Sequence, residues 1–331
     1  MSKLQLTLAC SNCDRTRALF DGRVFLDGID LNCLALPIEE IFFRMLRHHE
    51  FDVAEMSLSS YVVSLFTENP RFIAIPVFPS RVFRHSCIFI HRDSGIREPK
   101  DLIGKRVGVP EYQMTAGVWI RGVLSDEYGV PVSGVTYFQG GEEEPGRPEK
   151  IRLNLPSGIR LESIPEGRTL SAMLAVGEID ALYTARMPSS FVRNDSGKVR
   201  RLFTDYAKVE RAYYAKTSIF PIMHTIVIRR DIYEPSRWLA QSLSKAFKQA
   251  QEVAYRDLYD SGALSTMLPW LTQHVEETRA LMGSDFWPYG LEKNEQTLET
   301  FLRYSFEQGL SKRLLRAEDL FAPETLESFK V

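Results

Sequence analysis

Short apolar runs alternate with helical stretches along most of this chain, and no other feature constrains its fold as much. Residues 4–9 and 30–36 alternate apolar and polar positions as half-buried strands do. Pro37 stands where a helix accepts proline, in its first turn, and opens a helix over residues 38–49. Residues 51–54 read as a short strand that leads into a helix from about 57 to 67. Residues 72–77 and 87–90 are apolar, β-branched runs. Strand and helix in this alternation imply a mostly parallel sheet with helices on its faces.

The rhythm restarts after EPKDLIGK. Residues 106–110 read as a strand, 115–128 as a helix with Gly129 just past its end, and 135–138 as a strand. Residues 140–167 carry glycine, proline and acidic residues without a helical period, which predicts a long loop or hairpin excursion. A helix over 169–176 and a strand over 180–183 follow. A strand over 224–229, an amphipathic helix over 235–259 and a mostly helical segment from 267 onward complete the pattern. The expected architecture is α/β with two lobes and a ligand cleft between them. Lobe I would comprise residues 1–98 and 221–331, and lobe II residues 99–220.

Composition narrows the function classes. A formal net charge of −2 over 331 residues gives no electrostatic footprint for nucleic acid or an anionic membrane. No apolar run approaches the ~20 residues that span a bilayer. The alternation of Leu4, Leu6 and Leu8 before Cys10 reads as a first strand rather than a lipoprotein signal, so the expected location is the cytoplasm. Cys10 and Cys13 form a single CxxC with no second pair, and the six histidines show no close ligand spacing. Neither a zinc site nor any other metal site is expected.

In open α/β sheets, ligands bind beyond the carboxyl ends of the strands. The residues there are CSNCDRTR (10–17), EMSLSS (55–60), PSRVFRHS (79–86), PEYQMT (110–115), YTAR (183–186) and FPIMH (220–224). Together they supply Arg15, Arg17, Arg81, Arg84 and Arg186, the histidines His85 and His224, and the hydroxyls of Ser57, Ser59, Ser60 and Thr115. Such a set suits an organic anion, since arginine binds carboxylate with two parallel hydrogen bonds and a helix start favours negative charge. Each also has a plain structural reading: helix capping for a serine, a snorkelling surface position for an arginine, a satisfied core position for a histidine. His48 and His49 fit a helix C-terminus, while His91 and His274 have no supporting neighbours.

The stretches CSNCDRTRALFDGRV, EFDVAEMSLSSYV, PVFPSRVFRHSCIFI and GKRVGVPEYQMTAGVWIRGVL resemble the 4,5-dihydroxyphthalate decarboxylase family. The resemblance continues through GEIDALYTARMPSSF, SIFPIMHTIVIRRD and FWPYGLEKNEQTLETFLRYSFEQGL, and so covers nearly the whole chain. It implies a type 2 periplasmic-binding-protein-like fold used by an enzyme that converts 4,5-dihydroxyphthalate to protocatechuate and carbon dioxide. The implied partner is a small aromatic dicarboxylate, and a homo-oligomer is compatible with it.

That chemistry needs no redox or carbanion-sink cofactor. A phenolate para to the departing carboxylate pushes electrons to the carboxyl-bearing carbon, which accepts a proton before the C–C bond breaks. The site must hold a carboxylate, ionise the phenol and protonate the ring. Arg81 and Arg84, with the helix start at residues 57–60, are expected to anchor carboxylate. His85 or His224 would take the phenolic proton, and the other histidine, Glu55 or Asp14 would deliver one to carbon. Arg15 and Arg186 would close the cleft from the two lobes. The rival class is a solute receptor for an aromatic or other carboxylate, with a thiamine-precursor-type binding protein as a third reading.

Overall fold

The computed structural model of the protein describes residues 3–146, 151, 153–193 and 197–326. The chain begins β1 (Leu4–Ala9), α1 (Asp14–Phe20), β2 (Ile29–Leu34), α2 (Ile38–His48), β3 (Val53–Ser57), α3 (Leu58–Ser64) and β4 (Phe72–Arg81). It continues with β5 (Ile88–His91), β6 (Arg106–Val109), α4 (Thr115–Tyr128), β7 (Thr136–Gln139), β8 (Arg160–Ser163), α5 (Leu170–Val176), β9 (Ala181–Tyr183) and α6 (Ser189–Val192). The remainder is β10 (Val199–Arg201), α7 (Tyr206–Thr217), β11 (Ile222–Arg229), α8 (Arg230–Tyr233), α9 (Trp238–Tyr259), α10 (Leu271–Met282) and α11 (Glu295–Glu307).

The chain divides into two compact units. The first holds Met1–Arg81, His224–Gln296 and Arg316–Val331, and the second Val82–Met223 and Thr297–Leu315. The first unit carries a sheet of order β2-β1-β3-β11-β4, with β1 parallel to β2 and β3, and β11 antiparallel to β3. Its core lies where α1 and α9 cover one sheet face: Leu6, Leu8, Val53, Ile226 and Ile228 point from the strands into Ala18, Leu239, Leu243 and Phe247. β4 ends the sheet order and contains Pro76 and Pro79, which an edge strand tolerates because their missing N–H groups break no inner ladder.

The second unit carries a sheet of order β10-β5-β9-β6-β7-β8. Strands β6 to β9 run parallel to their neighbours in that group, and β5 is antiparallel to both β9 and β10.

This division differs from the expected 1–98 and 221–331 against 99–220 in three places: residues 82–98, 221–223 and 297–315 all fall in the second unit. Residues 82–98 fall in the second unit because β5 pairs there with β9 and β10. Residues 297–315 fall there too, because α11 packs on α4. Trp119 lies 5.5 Å from the Phe301 ring, and Tyr304 lies so close to Gly122 that a Cβ there would come within 2.1 Å of the ring. The stretch 140–167, expected as a loop or hairpin, contains β8 parallel to β7. That strand is largely exposed at the sheet edge and offers no apolar alternation to read. The edge strand β10 and helix α7 were not foreseen either. No helix among the described residues is long and apolar enough to cross a membrane.

Candidate active site

The alternation that lays Val53 into the core puts Glu55 and Ser57 on the same face of β3, two and four residues nearer the strand end. In β11, Ile226 and Ile228 line the core, and His224 follows on their face. The antiparallel register sets His224 opposite Ser57 and Ile226 opposite Glu55. Glu55 and His224 are therefore diagonal neighbours at the rim of the core, within reach of each other's side chains.

They meet. His224 Nδ1 lies 2.6 Å from Glu55 Oε1, and the Ser11 N–H donates to Glu55 Oε2 at 2.8 Å. Glu55 is 1% exposed, whereas the His224 side chain is 18% exposed. Burial alone would raise the Glu55 carboxyl, but the bond and charge of His224 and the bonds from Ser11 outweigh it. The carboxyl is held below its usual range. An ionised carboxylate can only accept, so Nδ1 carries the proton and Nε2 is the ring nitrogen left to exchange one. Phe42 of α2 stands edge-on to the imidazole, with centroids 4.9 Å apart.

The turn after β1 presents Ser11 to Glu55, and Thr16 holds that turn. Its hydroxyl bonds to the Ser11 and Cys13 carbonyls and accepts the Cys13 N–H at 3.0 Å. Cys10 and Cys13 are free thiols, and burial pushes both above the ordinary thiol value, so the CxxC carries no activated thiolate. Its residues serve the turn.

Asp14 and Arg15 open α1 beside this pair. Arg15 Nη1 donates to Asp14 Oδ1 at 2.7 Å, its Nε donates to the Pro79 carbonyl, and its guanidinium lies 4.4 Å over the Trp287 ring. The Arg15 side chain remains 21% exposed.

Arg81 belongs to the same unit but is turned inward. It is 4% exposed, with Nη2 donating to Asn294 Oδ1 at 2.6 Å and Nη1 to the Pro288 carbonyl at 3.2 Å. Among the three serines, Ser57 caps α3 by accepting the Ser60 N–H at 3.4 Å, and Ser59 and Ser60 are buried. Capping thus accounts for Ser57 without a ligand.

The other expected site residues lie in the second unit. Arg84 donates to Met223 Sδ at 3.1 Å and to the Ala185 carbonyl at 3.2 Å, with no carboxylate among its hydrogen-bond partners in the described residues. His85 is 4% exposed and enclosed by the rings of Phe203, Tyr213 and Tyr128 at 5.3, 5.4 and 6.2 Å. Neither of its ring nitrogens has a hydrogen-bond partner among the described residues, and burial lowers its pKa to about 4. Thr115 is the buried first residue of α4. Arg186 is exposed, and its backbone N–H reaches the Thr184 hydroxyl at 3.2 Å. Among the described residues, no group of three or more His, Cys, Asp or Glu side chains is placed to hold a metal ion.

Sequence reasoning named Glu55, His224 and Arg15 but missed Phe42, Ser11 and the segment 286–294 that surrounds Arg15 and Arg81. The signal for the last was present in FWPYG, an aromatic cluster followed by a turn residue.

Two α/β units, with polar side chains gathered at the strand ends of the first, form a fold of the two-lobed periplasmic-binding-protein class. The fold matches the periplasmic aliphatic sulphonate-binding protein SsuA from Escherichia coli, with TM-score 0.52, 11% identity, and coverage of 98% of this chain and 99% of that one. It also matches the alkanesulfonate-binding protein SsuA from Xanthomonas axonopodis pv. citri, with TM-score 0.51, 12% identity, and coverage of 97% and 99%. No protein-family model matches the chain. In sequence it is 46% identical to a 4,5-dihydroxyphthalate decarboxylase of Comamonas testosteroni over 331 residues, the full length of both. A protein of the same name from Pseudomonas putida is 49% identical over 205 residues, 62% of this chain and 79% of that one. The chain belongs to the 4,5-dihydroxyphthalate decarboxylase family.

Proposed function

We propose that the protein is a carboxy-lyase that converts 4,5-dihydroxyphthalate to protocatechuate and carbon dioxide. The observation that carries this reading is full-length identity at 46% to a decarboxylase of that name. The pair of buried Glu55 and partly exposed His224 supplies the proton-transfer chemistry such a reaction asks for.

The hard step is protonation of the carboxyl-bearing ring carbon, because it interrupts aromaticity. We assign that transfer to His224 Nε2. Glu55, ionised and fixed by Ser11, holds the Nδ1–H and compensates the positive charge of the ring when it carries both protons. The para hydroxyl gives up its proton to solvent, which the product phenolate later takes back, and the phenolate supplies the electron pair for the new C–H bond. Cleavage of the C–C bond then returns a pair to the ring and releases carbon dioxide. Arg15, partly exposed and fixed by Asp14, Pro79 and Trp287, is the proposed anchor for the retained carboxylate.

Incubation of the purified protein with 4,5-dihydroxyphthalate, with carbon dioxide and protocatechuate measured together, tests the reading. Stoichiometric formation of both is the expected result. A receptor would bind the dicarboxylate and return it unchanged, and that outcome would overturn the proposal.

A further inference from the structure

Tyr289 lies in a segment tied down on both sides, yet its hydroxyl has no hydrogen-bond partner among the described residues. The Pro288 carbonyl on one side accepts from Arg81 and from Asn294 Nδ2, the latter at 3.0 Å. Gly290 on the other side donates its N–H to the Pro76 carbonyl at 2.8 Å, and its carbonyl accepts from Asn294 at 2.8 Å. Trp287, two residues before, is fixed through Nε1 to the Phe78 carbonyl at 2.8 Å and through its N–H to the Tyr255 hydroxyl at 2.9 Å.

The Tyr289 ring packs against the core of the first unit and is partly exposed. Its hydroxyl is buried and has no hydrogen-bond partner among the described residues. Both oxygens of Glu55, the buried carboxylate of the site, are already engaged by His224 and Ser11. The segment of Tyr289 lies beside Arg15, whose guanidinium stands 4.4 Å over the ring of Trp287 two residues earlier, and Arg15, Glu55 and Asp14 are the charged side chains whose fields reach the phenol. Burial also pushes it well above the ordinary phenol range, so it stays protonated and can donate at any working pH. A buried hydroxyl without a partner is a cost that native proteins rarely carry unless something else satisfies it.

We propose that Tyr289 is a substrate-binding residue whose hydroxyl donates a hydrogen bond to a carboxylate oxygen of the substrate, beside Arg15. This rests on the decarboxylase reading for the identity of the substrate. A neutral donor next to an arginine suits a carboxylate, adding a directed bond where the guanidinium supplies charge.

The test compares wild type with Tyr289→Phe, which keeps the ring and deletes the oxygen. Three quantities are measured: thermal stability, affinity for phthalate (which has the carboxylates but no phenol) and turnover of 4,5-dihydroxyphthalate. The expected result is an unchanged or raised Tm with phthalate affinity and kcat/KM lowered roughly 10–100-fold, the loss of one hydrogen bond to a charged group. A lowered Tm or failure to fold would make the hydroxyl structural and overturn the proposal. Unchanged phthalate affinity would overturn it as well. Absence of carbon dioxide release from the wild type would sink the decarboxylase reading, while the phthalate comparison would still decide whether Tyr289 contacts a ligand carboxylate.

Discussion

Glu55 and His224 stand 169 residues apart in sequence and 2.6 Å apart in the folded chain, a buried carboxylate oxygen against the Nδ1 of a partly exposed imidazole. The pair should act as a unit. His224→Asn and Glu55→Gln should each lower kcat by about 10²–10⁴, the usual contribution of a positioned acid or base. The double variant should be no worse than His224→Asn alone. Steady-state kinetics on the four proteins checks this. Additive losses would mean that the two side chains serve separate steps.

If the ring carbon is protonated before carbon dioxide departs, turnover in heavy water should place one deuterium at the vacated ring position. It should also slow kcat through a solvent isotope effect. Mass spectrometry of the product and rate measurements in both solvents provide the readout. A full carbon isotope effect at the departing carboxylate without any solvent effect would place bond cleavage first.

Among aromatic rings, His85 is held neutral, with a pKa lowered from 6.5 to about 4 by burial. A depressed histidine stabilises the fold fully above pH 6.5 and loses that contribution as pH falls towards 4, because the unfolded chain binds the proton first. The shift corresponds to about 3 kcal/mol. Urea unfolding between pH 7 and pH 4 should show this decline superimposed on the titration of carboxylates, and His85→Phe should flatten it by that amount. An identical pH profile in the variant would remove His85 as the source.

Arg81 bridges two acceptors, Asn294 Oδ1 and the Pro288 carbonyl, and so ties β4 to the segment that carries Tyr289. Arg81→Lys retains the charge but cannot reproduce the forked geometry, and should destabilise the protein by about 1.5–3 kcal/mol. Denaturant midpoints report the effect. Full stability with weakened substrate binding would instead return Arg81 to the role of carboxylate anchor expected from its position in the sequence.

How far the sequence reaches can be judged at single residues. The alternation in residues 4–9 and the apolar runs at 51–54 and 224–229 were enough to place β1, the start of β3 and most of β11, and with them the positions of Arg15, Glu55 and His224. Side-chain periodicity is local, so the chain itself carries that information. Which of these residues touch was not legible, because it depends on the register of β11 against β3, a pairing across half of the chain length. The same limit separates the two histidines. His85 and His224 both follow apolar runs, but Phe203 and Tyr213, more than a hundred residues away, enclose one, while Glu55 engages the other. Arg81 and Arg84, three residues apart, fall in different units, because β5 pairs with β9 and β10 while β4 lies beside β11. Local pattern decides which face a residue shows; only the long-range pairing of strands decides what that face meets.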